Sequence, residues 1–565
     1  MFNYFHKLNV LRIERIVVFL LIITLAAFIR FYSLNILPVS LYWDEVAQGY
    51  NAYSILMTGK DEYGSTFPLV FRSFDDFKMP LYIYLSTIVI KFFGLNEFST
   101  RFISALAGTL TVVFTVFLTK KILEFGNYKN SEHIVSISYF SGLMLTVSPW
   151  HINFSRGAFE ANLALFFVVV GLYFFISGMQ NKKYLYISII PFVCAFYSYR
   201  SILVFLPILI SCSIMIFNQY FRKIYLKHLI FFFTILAIFL SPLIITLFSG
   251  FSDNRVSQVS IFENSNQLLY ENSIKQAKEG NTFWARLKYN RRITFSYIAF
   301  SNYISHFSPS FLFIDGDGNG RHSIRGMGMM YAWELPIIVI GIIISYRNFK
   351  DKRFFWFILF WLFSAPIPAS LTQPAPHALR SLNILPVPQI FFSLGIIYLL
   401  SIVSRKQRIV LSVFVIMIII FSLYIFSNKY KHHMINAGSE WGDGYKQLVT
   451  EVGNDYSDYD LFLVTGANWE PYIYFLYYNK FSPAEYQKNG SSISFDKYVF
   501  GGTSWDKDKK RKTLLELDLK NINNNSKSLL IVTPKEQNEL PFNFYKIKEI
   551  RNNNNVTIYN IGKLL

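Results

Sequence analysis

The sequence has little charge and almost no cysteine. Charged residues make up 16% of the 565 residues, whereas soluble proteins average roughly 25%. Hydrophobic residues reach 53% and aromatic residues 19%, and the mean hydropathy is +0.32. This composition excludes a disordered scaffold, a coiled coil and a conventional soluble enzyme. It predicts a chain that lies mostly in a membrane.

Several chemical features are also missing. The two cysteines, Cys194 and Cys212, lie in apolar runs, so the sequence offers no disulfide framework and no thiolate metal site. It contains no Walker sequence and no strand-linked GxGxxG, which argues against a bound nucleotide. The net charge is +19, but the basic residues form short clusters between apolar runs. This pattern indicates cytoplasmic loops that face anionic lipid, and no nucleic-acid partner is expected.

Apolar runs predict about eleven membrane-spanning helices, with loose boundaries. They lie at 16–29, 102–118, 134–147, 163–176, 184–197, 202–217, 229–248, 332–346, 354–371, 384–403 and 409–426. Lys7, Arg12 and Arg15 precede the first run, and no small-residue cleavage site follows it. The first run is therefore predicted to be an uncleaved span with a cytoplasmic N-terminus.

The apolar segment 81–93 is short and carries Lys91. Counting it as a span would move later basic clusters, such as Lys120–Lys121, to the outer side, against the positive-inside rule. The segment is therefore predicted to be a helix at the outer membrane interface or a re-entrant segment.

The predicted fold is a mainly α polytopic membrane protein with a small C-terminal extracytoplasmic α/β domain. The transmembrane domain covers 1–428, with long outer loops at 33–101 and 250–330, and the α/β domain covers 429–565. In that second domain the expected elements are β-rich runs at 461–465, 529–532 and 556–561, and helices at 445–452 and 471–478.

Adjacent carboxylates at the outer membrane surface are the strongest chemical signal. Asp44 and Glu45 follow Trp43 shortly after the first span. An interfacial aromatic belt with a solvated, helix-capping Asp also explains them. However, a carboxylate at this level can take a proton from an incoming hydroxyl or amide nucleophile. A third acid, Glu160, is predicted on the same side.

Cations on the predicted outer side fit a phosphate. Arg156 and Glu160 are four residues apart, so they are predicted to share one helix face, where a simple ion pair is the alternative. The candidate phosphate-binding residues are Lys78, Arg156, Arg321, His322, His377 and Arg380. Such groups hold a phosphate and offset the charge that builds on it as it leaves. A polyprenyl phosphate sugar has the matching shape, with an anionic head and an apolar tail.

The stretch 315–320 copies the opening of an EF-hand loop, but Gly326 stands where a bidentate Glu is needed. A turn that presents Arg321 and His322 to the site is the preferred interpretation. No cofactor is required by the sequence. A divalent metal held by Asp44, Asp75, Asp76 or His322 stays open, because no spacing demands it.

These residues, in this order, resemble the membrane-embedded C-type glycosyltransferases, in particular the branch with protein O-mannosyltransferases and bacterial aminoarabinose transferases. The resemblance runs from the first span to about Pro386 and is weaker in the C-terminal domain. It rests on Trp43-Asp44-Glu45, Lys78-Met79-Pro80-Leu81, Arg101-Phe102-Ile103-Ser104-Ala105-Leu106, Ser148-Pro149 with Ser155-Arg156 and Glu160, and Arg380-Ser381-Leu382-Asn383-Ile384-Leu385-Pro386.

The resemblance implies the transfer of one sugar, with inversion, from a polyprenyl phosphate outside the cytoplasm. It implies that Asp44 is the acceptor-activating base, that Lys78 contacts the donor phosphate and that Glu160 supports the active site. Many members carry Asp where this chain has Glu160. The expected partners are the lipid-linked sugar, membrane lipids and a glycan, lipid or protein acceptor.

Two other classes of function share some of these features. A transporter or flippase of a lipid-linked sugar would also need a groove for the tail and cations for the phosphate. It is expected to carry ionisable residues or broken helices near mid-membrane, often in duplicated halves, and no such repeat is visible. A non-catalytic scaffold or receptor leaves Asp44, Lys78 and Arg380 unexplained.

Overall fold

The computed structural model describes residues 2–74, 76–222, 226–247, 260–262, 266–468, 470–502, 513–514, 527–540 and 542–564. The described chain is mainly helical. Its helices in the first half are α1 Phe2–Phe31, α2 Trp43–Thr58, α3 Leu81–Phe93, α4 Glu97–Phe125, α5 Ile134–Val147, α6 Pro149–Arg156, α7 Glu160–Gly178, α8 Lys182–Ile187, α9 Ile189–Phe196, α10 Ile202–Ile216, α11 Asn218–Phe221 and α12 Leu226–Thr246.

The helices continue as α13 Asn266–Lys278, α14 Phe283–Lys288, α15 Arg291–Ser305, α16 Glu334–Asn348, α17 Lys352–Ser364, α18 Ile367–Ser370, α19 Val387–Ile402, α20 Arg405–Asn436, α21 Tyr445–Asn454, α22 Pro471–Tyr478, α23 Pro483–Lys488 and α24 Pro534–Glu539. The strands are β1 Phe71–Ser73, β2 Asp76–Lys78, β3 Leu461–Val464, β4 Tyr498–Phe500, β5 Ser528–Val532, β6 Phe544–Arg551 and β7 Thr557–Leu564.

Six helices of the described chain are long and apolar enough to cross a membrane. They are Glu97–Phe125, Glu160–Gly178, Leu226–Thr246, Lys352–Ser370, Leu382–Ile402 and Arg405–Asn436. A multi-pass membrane protein is thus supported, whereas the count of eleven spans stays a prediction. The predicted span 184–197 is divided at Ser188 into α8 and α9. Phe248, the predicted end of another span, lies outside the described residues, as does most of 248–265.

The chain divides into two compact units. The first comprises 1–32, 75–79 and 104–429, and the second comprises 33–74, 80–103 and 430–565. The second unit therefore contains most of the first predicted outer loop as well as the C-terminal segment. The predicted boundary between 428 and 429 stays a prediction.

A close approach between α16 and α19 organises the first unit. A Cβ atom added to Gly341 would fall 1.7 Å from the backbone oxygen of Phe391, and one added to Gly395 would fall 2.2 Å from that of Ile337. Small residues let two helices in a membrane pack backbone against backbone. The two glycines therefore set the separation of α16 and α19.

We expect Gly341→Ala to lower the thermal unfolding midpoint of the detergent-solubilised protein, because the new methyl group forces the two helices apart. The cost is about 1–3 kcal/mol, as for other overpacked sites. Gly453→Ala is the matched control, since Gly453 also lies in a helix but a Cβ there meets nothing within 4 Å. An equal midpoint for Gly341→Ala and wild type would contradict the close contact.

A five-stranded mixed sheet forms the centre of the second unit, in the order β4-β3-β5-β7-β6. β3 is parallel to β4 and β5, whereas β7 is antiparallel to β5 and β6. Buried side chains of α2 and α22 join those of the sheet in one hydrophobic core, with Tyr50, Phe462 and Phe475 fully buried. The strands and helices predicted in this segment are present.

Candidate functional site

The first acidic pair lies at the start of α2, in the second unit. Glu45 is fully buried, and its carboxylate accepts two hydrogen bonds of 2.9 Å from Nε and Nη2 of Arg101. The backbone N–H of Tyr42 donates to the same carboxylate at 3.2 Å. Asp44 is only partly buried. The fold thus holds the helix end rigidly at Glu45 and leaves its neighbour Asp44 with some exposure.

Arg101 also fixes the chain that leads into α2. Its Nη1 donates to the carbonyl oxygens of Leu34 at 3.2 Å and Pro38 at 2.9 Å, and its Nη2 donates to that of Ser40. A buried guanidinium is tolerated when a carboxylate and carbonyls satisfy its donors in this way. Sequence reasoning included Arg101 in a family motif but did not assign it this role.

Lys78 lies in β2, in the first unit. Its Nζ is 3.2 Å from Oδ2 of Asp76, and both side chains are largely buried. A lysine held in this way has little freedom to move into bulk water, so its charge stays at the end of β2. Asp75, which the sequence offered as a metal ligand, lies outside the described residues.

Arg156 and Glu160 do not share a helix face, so that prediction is wrong. Helix α6 ends at Arg156, the backbone at Gly157 is extended with φ −102° and ψ 164°, and α7 begins at Glu160. Glu160 is buried in the first turn of α7, where the partial positive charge of the helix N-terminus favours a carboxylate.

Buried arginines reinforce the end of α1. The guanidinium of Arg156 donates to the carbonyl oxygens of Ile29 at 2.6 Å and Tyr32 at 2.9 Å. Arg30 is fully buried and contacts Nδ1 of His151 at 2.7 Å. Arg156 therefore satisfies carbonyls that the end of α1 leaves unpaired. Sequence reasoning missed Arg30, because it is simply the last charged residue after an apolar run.

Arg321 and Arg380 are both partly exposed and belong to the first unit. Nε of Arg321 lies 3.4 Å from Oδ1 of Asn319. Nη1 of Arg380 donates to Oγ1 of Thr372 at 2.8 Å and to the carbonyl oxygen of Gln373 at 3.1 Å. Partial exposure leaves both guanidinium groups near solvent, and their binding of a phosphate stays a prediction.

Asp317, His322 and His377 form a buried cluster in the first unit. Oδ2 of Asp317 lies 3.3 Å from Nδ1 of His322 and 4.0 Å from Nδ1 of His377. The two imidazole rings lie with centroids 4.8 Å apart. The structure thus brings together the two predicted site histidines and Asp317, an aspartate of the EF-hand-like stretch.

Burial and charge act in opposite directions in this cluster. Burial raises the pKa of Asp317, but His322 and the backbone N–H groups of Asn319 and Ala378 outweigh it, so the pKa lies below its ordinary value. Burial lowers the pKa of His322, and the Asp317 carboxylate offsets only part of this effect. At neutral pH the carboxylate of Asp317 is therefore charged and the imidazole of His322 is neutral.

The EF-hand-like stretch does not gather its acids around one point. Oδ2 of Asp315 accepts a hydrogen bond of 2.6 Å from Oγ of Ser310, whereas Asp317 belongs to the histidine cluster. The spacing of Asp317 and His322, followed by His377 before the tenth predicted span, is the signal from which the cluster could have been found.

The predicted site residues are divided between the two units. Asp44 and Glu45 belong to the second, and Lys78, Arg156, Glu160, Arg321, His322, His377 and Arg380 belong to the first. Their meeting in one pocket stays a prediction.

Comparison with known proteins shows what the chain resembles. Residues 78–245 match the family model described as dolichyl-phosphate-mannose-protein mannosyltransferase. The structure is similar to that of ArnT from Cupriavidus metallidurans in the apo state, with a TM-score of 0.56 and 10% identity over 96% of this chain and 97% of ArnT. The fold is that of the membrane-embedded C-type glycosyltransferases.

Other comparisons agree with this C-type glycosyltransferase fold. ArnT bound to undecaprenyl phosphate has a TM-score of 0.54 at 10% identity, again over 96% of this chain and 97% of that one. The oligosaccharyltransferase AglB from Archaeoglobus fulgidus, in complex with an inhibitory peptide and a dolichol-phosphate, has a TM-score of 0.50 at 12% identity. That match covers 82% of this chain and 64% of AglB. No curated protein sequence matches the chain.

Proposed function

We propose that this protein is a glycosyltransferase that moves a single sugar, with inversion, from a polyprenyl phosphate to an acceptor on the extracytoplasmic side. The observation that carries the proposal is the likeness to ArnT along almost the whole chain, including a structure of ArnT bound to undecaprenyl phosphate. The match of residues 78–245 to the mannosyltransferase family model supports it independently. The acceptor is a glycan, a lipid or a protein.

In the proposed reaction Asp44 takes the proton from the acceptor hydroxyl or amide. The acceptor atom forms a bond to the anomeric carbon of the sugar while the bond from that carbon to the phosphate oxygen breaks. The electron pair leaves with the polyprenyl phosphate. Attack opposite the leaving group inverts the anomeric centre. The sequence requires no cofactor for this step.

The leaving phosphate gains negative charge, so cations held near it lower the barrier. We assign this role to Lys78, Arg321 and Arg380. Arg156 already donates to carbonyls at the end of α1, and we assign it a positioning role. Glu45 is likewise a positioning residue, because its carboxylate is committed to Arg101. Glu160 supports the site from the start of α7.

An apolar groove in the first unit suits the lipid tail of the donor. It has a volume of about 260 Å³ and lies between α9, α10 and α12. Its lining includes Phe196, Leu203, Pro207, Phe233 and Leu240. A polyprenyl chain gains free energy by covering such apolar surface.

The proposed topology has about eleven spans, a cytoplasmic N-terminus and an extracytoplasmic C-terminal α/β domain. The six long apolar helices of the described chain support the multi-pass part of this arrangement. The predicted loop charges support the orientation. Single-cysteine labelling at position 44 from the outer side of oriented vesicles is expected to succeed, and labelling only from the inner side would contradict the topology.

The function is tested by reconstituting the purified protein in vesicles that contain a polyprenyl-phosphate-linked sugar. Mass spectrometry of the lipids is expected to show free polyprenyl phosphate only when both protein and acceptor are present. The donor and the acceptor for this assay are chosen by mass spectrometry of cells that lack the protein. Lipid carriers and glycans that accumulate or vanish in those cells are the candidates. Movement of the intact lipid-linked sugar across the vesicle without bond cleavage would instead identify a flippase.

A further inference from the structure

The cluster of Asp317, His322 and His377 has the ligand types of a transition-metal site. One ligand atom from each residue can be chosen so that all three lie within 4.8 Å of one another, and all three residues are buried. Two imidazole nitrogens with one carboxylate oxygen suit Zn²⁺ better than Ca²⁺ or Mg²⁺, which prefer oxygen ligands throughout.

The distances in the cluster are close to those of a coordination shell. Tetrahedral ligands that are each about 2.0–2.1 Å from Zn²⁺ lie roughly 3.3 Å from one another. Oδ2 of Asp317 and Nδ1 of His322 are 3.3 Å apart, yet Nδ1 makes no hydrogen bond. Two atoms that bind the same metal ion lie at this separation, and they do not need to be aligned as hydrogen-bond donor and acceptor. Nδ1 of His377 is 4.0 Å from Oδ2 of Asp317 and accepts from the backbone N–H of Arg380 at 3.4 Å, so His377 has to move closer to complete the shell.

Neighbouring groups hold two of the three ligands, Asp317 and His377, in place. Oδ1 of Asp317 accepts from the backbone N–H of Asn319 at 2.9 Å, and Oδ2 accepts from that of Ala378 at 2.7 Å. The backbone N–H of His377 donates to Nε2 of His306 at 3.0 Å. Partners of this kind orient metal ligands in known sites.

The turn that carries Asp317 is also constrained. Gly316 has φ +77°, and a Cβ atom there would lie 2.8 Å from the backbone oxygen of Met327 and 2.9 Å from Cβ of Ser323. Only glycine fits this position without strain. The carboxylate of Asp317 is therefore presented by a turn with little freedom to rearrange.

We propose that Asp317, His322 and His377 bind one divalent transition-metal ion, of the Zn²⁺ type. Three protein ligands leave one tetrahedral position for water or another small ligand. A cavity with room for about one water lies beside His322 and is also lined by Asn153 and Ser323. The inference concerns metal binding and does not rest on the proposed transferase activity.

The positive charges nearby set the expected affinity. The positive charges of Arg321 and Arg380 disfavour a positive charge on His322. They therefore also repel a metal cation in the cluster. The buried carboxylate of Asp317 compensates for part of this opposition. We therefore expect weaker Zn²⁺ binding than in a structural zinc finger.

The test uses the full-length protein in detergent, stripped of metal with a chelator and dialysed against Zn²⁺. Metal analysis is expected to find about one bound Zn²⁺ per chain, as one three-ligand site requires. Asp317→Asn and His322→Gln should each weaken binding by at least about tenfold, because each removes a ligand. His432→Gln, which changes an exposed histidine of α20, is the matched control and should bind like wild type.

Cobalt provides a readout that does not depend on the variants. Co²⁺ added to the wild-type protein should give the visible absorption of a tetrahedral site, and Zn²⁺ should remove it. The absence of saturable Zn²⁺ binding, or of the cobalt absorption, in a correctly folded wild-type protein would overturn the proposal. Equal binding by folded Asp317→Asn and His322→Gln variants would overturn it as well.

Discussion

Asp44→Asn is expected to abolish sugar transfer and leave the protein folded. Asparagine has the size of aspartate but cannot accept a proton at neutral pH, so the acceptor keeps its proton. General-base catalysis of this kind contributes about 10²–10⁴-fold, and the rate of transfer should fall by that factor. The measurement is release of polyprenyl phosphate from the lipid-linked sugar, followed by mass spectrometry.

The position of Asp44 explains why the Asp44→Asn variant should still fold. Asp44 is partly exposed in the first turn of α2, whereas the buried pair of Glu45 and Arg101 holds that turn. Asparagine keeps the size of the side chain and leaves the pair of Glu45 and Arg101 intact, so Asp44→Asn should retain a cooperative thermal unfolding transition. Asp458→Asn removes an exposed carboxylate of the same unit and should leave the rate unchanged. Normal turnover by Asp44→Asn would show that another group is the base.

Glu45→Gln should destabilise the second unit more than any surface substitution in it. It leaves the guanidinium of Arg101 buried without a counter-charge, and breaking a buried pair costs about 3–5 kcal/mol. The exposed fraction of both side chains is 0%, so water does not replace the missing partner. The thermal unfolding midpoint measures the loss.

Two further variants separate the buried charge from other effects. The double variant Glu45→Leu with Arg101→Leu removes both charges and should regain only part of the stability, because the carbonyl oxygens that Arg101 satisfies then lose their donor. Lys446→Met removes the ion pair of 2.7 Å between Lys446 and Glu97, where the lysine side chain is 62% exposed. It should cost less than about 1 kcal/mol. Equal losses for Glu45→Gln and Lys446→Met would contradict the role given to Arg101.

Local sequence patterns predicted individual elements well. The short apolar segment before residue 94 is helical at 81–93, as expected, and the expected strands and helices after residue 440 are present. Hydrophobic periodicity and turn residues act over a few neighbours, so one sequence is enough to detect them. The failure at Arg156 and Glu160 has a local cause too, because Gly157 adopts an extended conformation between two helices. A four-residue spacing alone does not reveal such a break.

Contacts between residues that are far apart in the sequence could not be predicted from it. Glu45 and Arg101 are 56 residues apart, and nothing local to either residue indicates that they pair. The carboxylate of Asp317 likewise accepts a hydrogen bond from the backbone N–H of Ala378, which lies 61 residues away in the sequence. Which residues become neighbours depends on the packing of whole helices and loops, and sequence spacing contains little of that information.

The sequence alone determined the membrane class, the candidate residues and the resemblance to C-type glycosyltransferases, because composition, charge clusters and short motifs can be read without a fold. The tertiary structure decided which acid stays partly exposed and which is committed to a buried arginine. It also decided that two histidines and Asp317 lie together. These outcomes follow from burial, which makes an unpaired charge so costly that only the folded chain shows where each charge finds its partner.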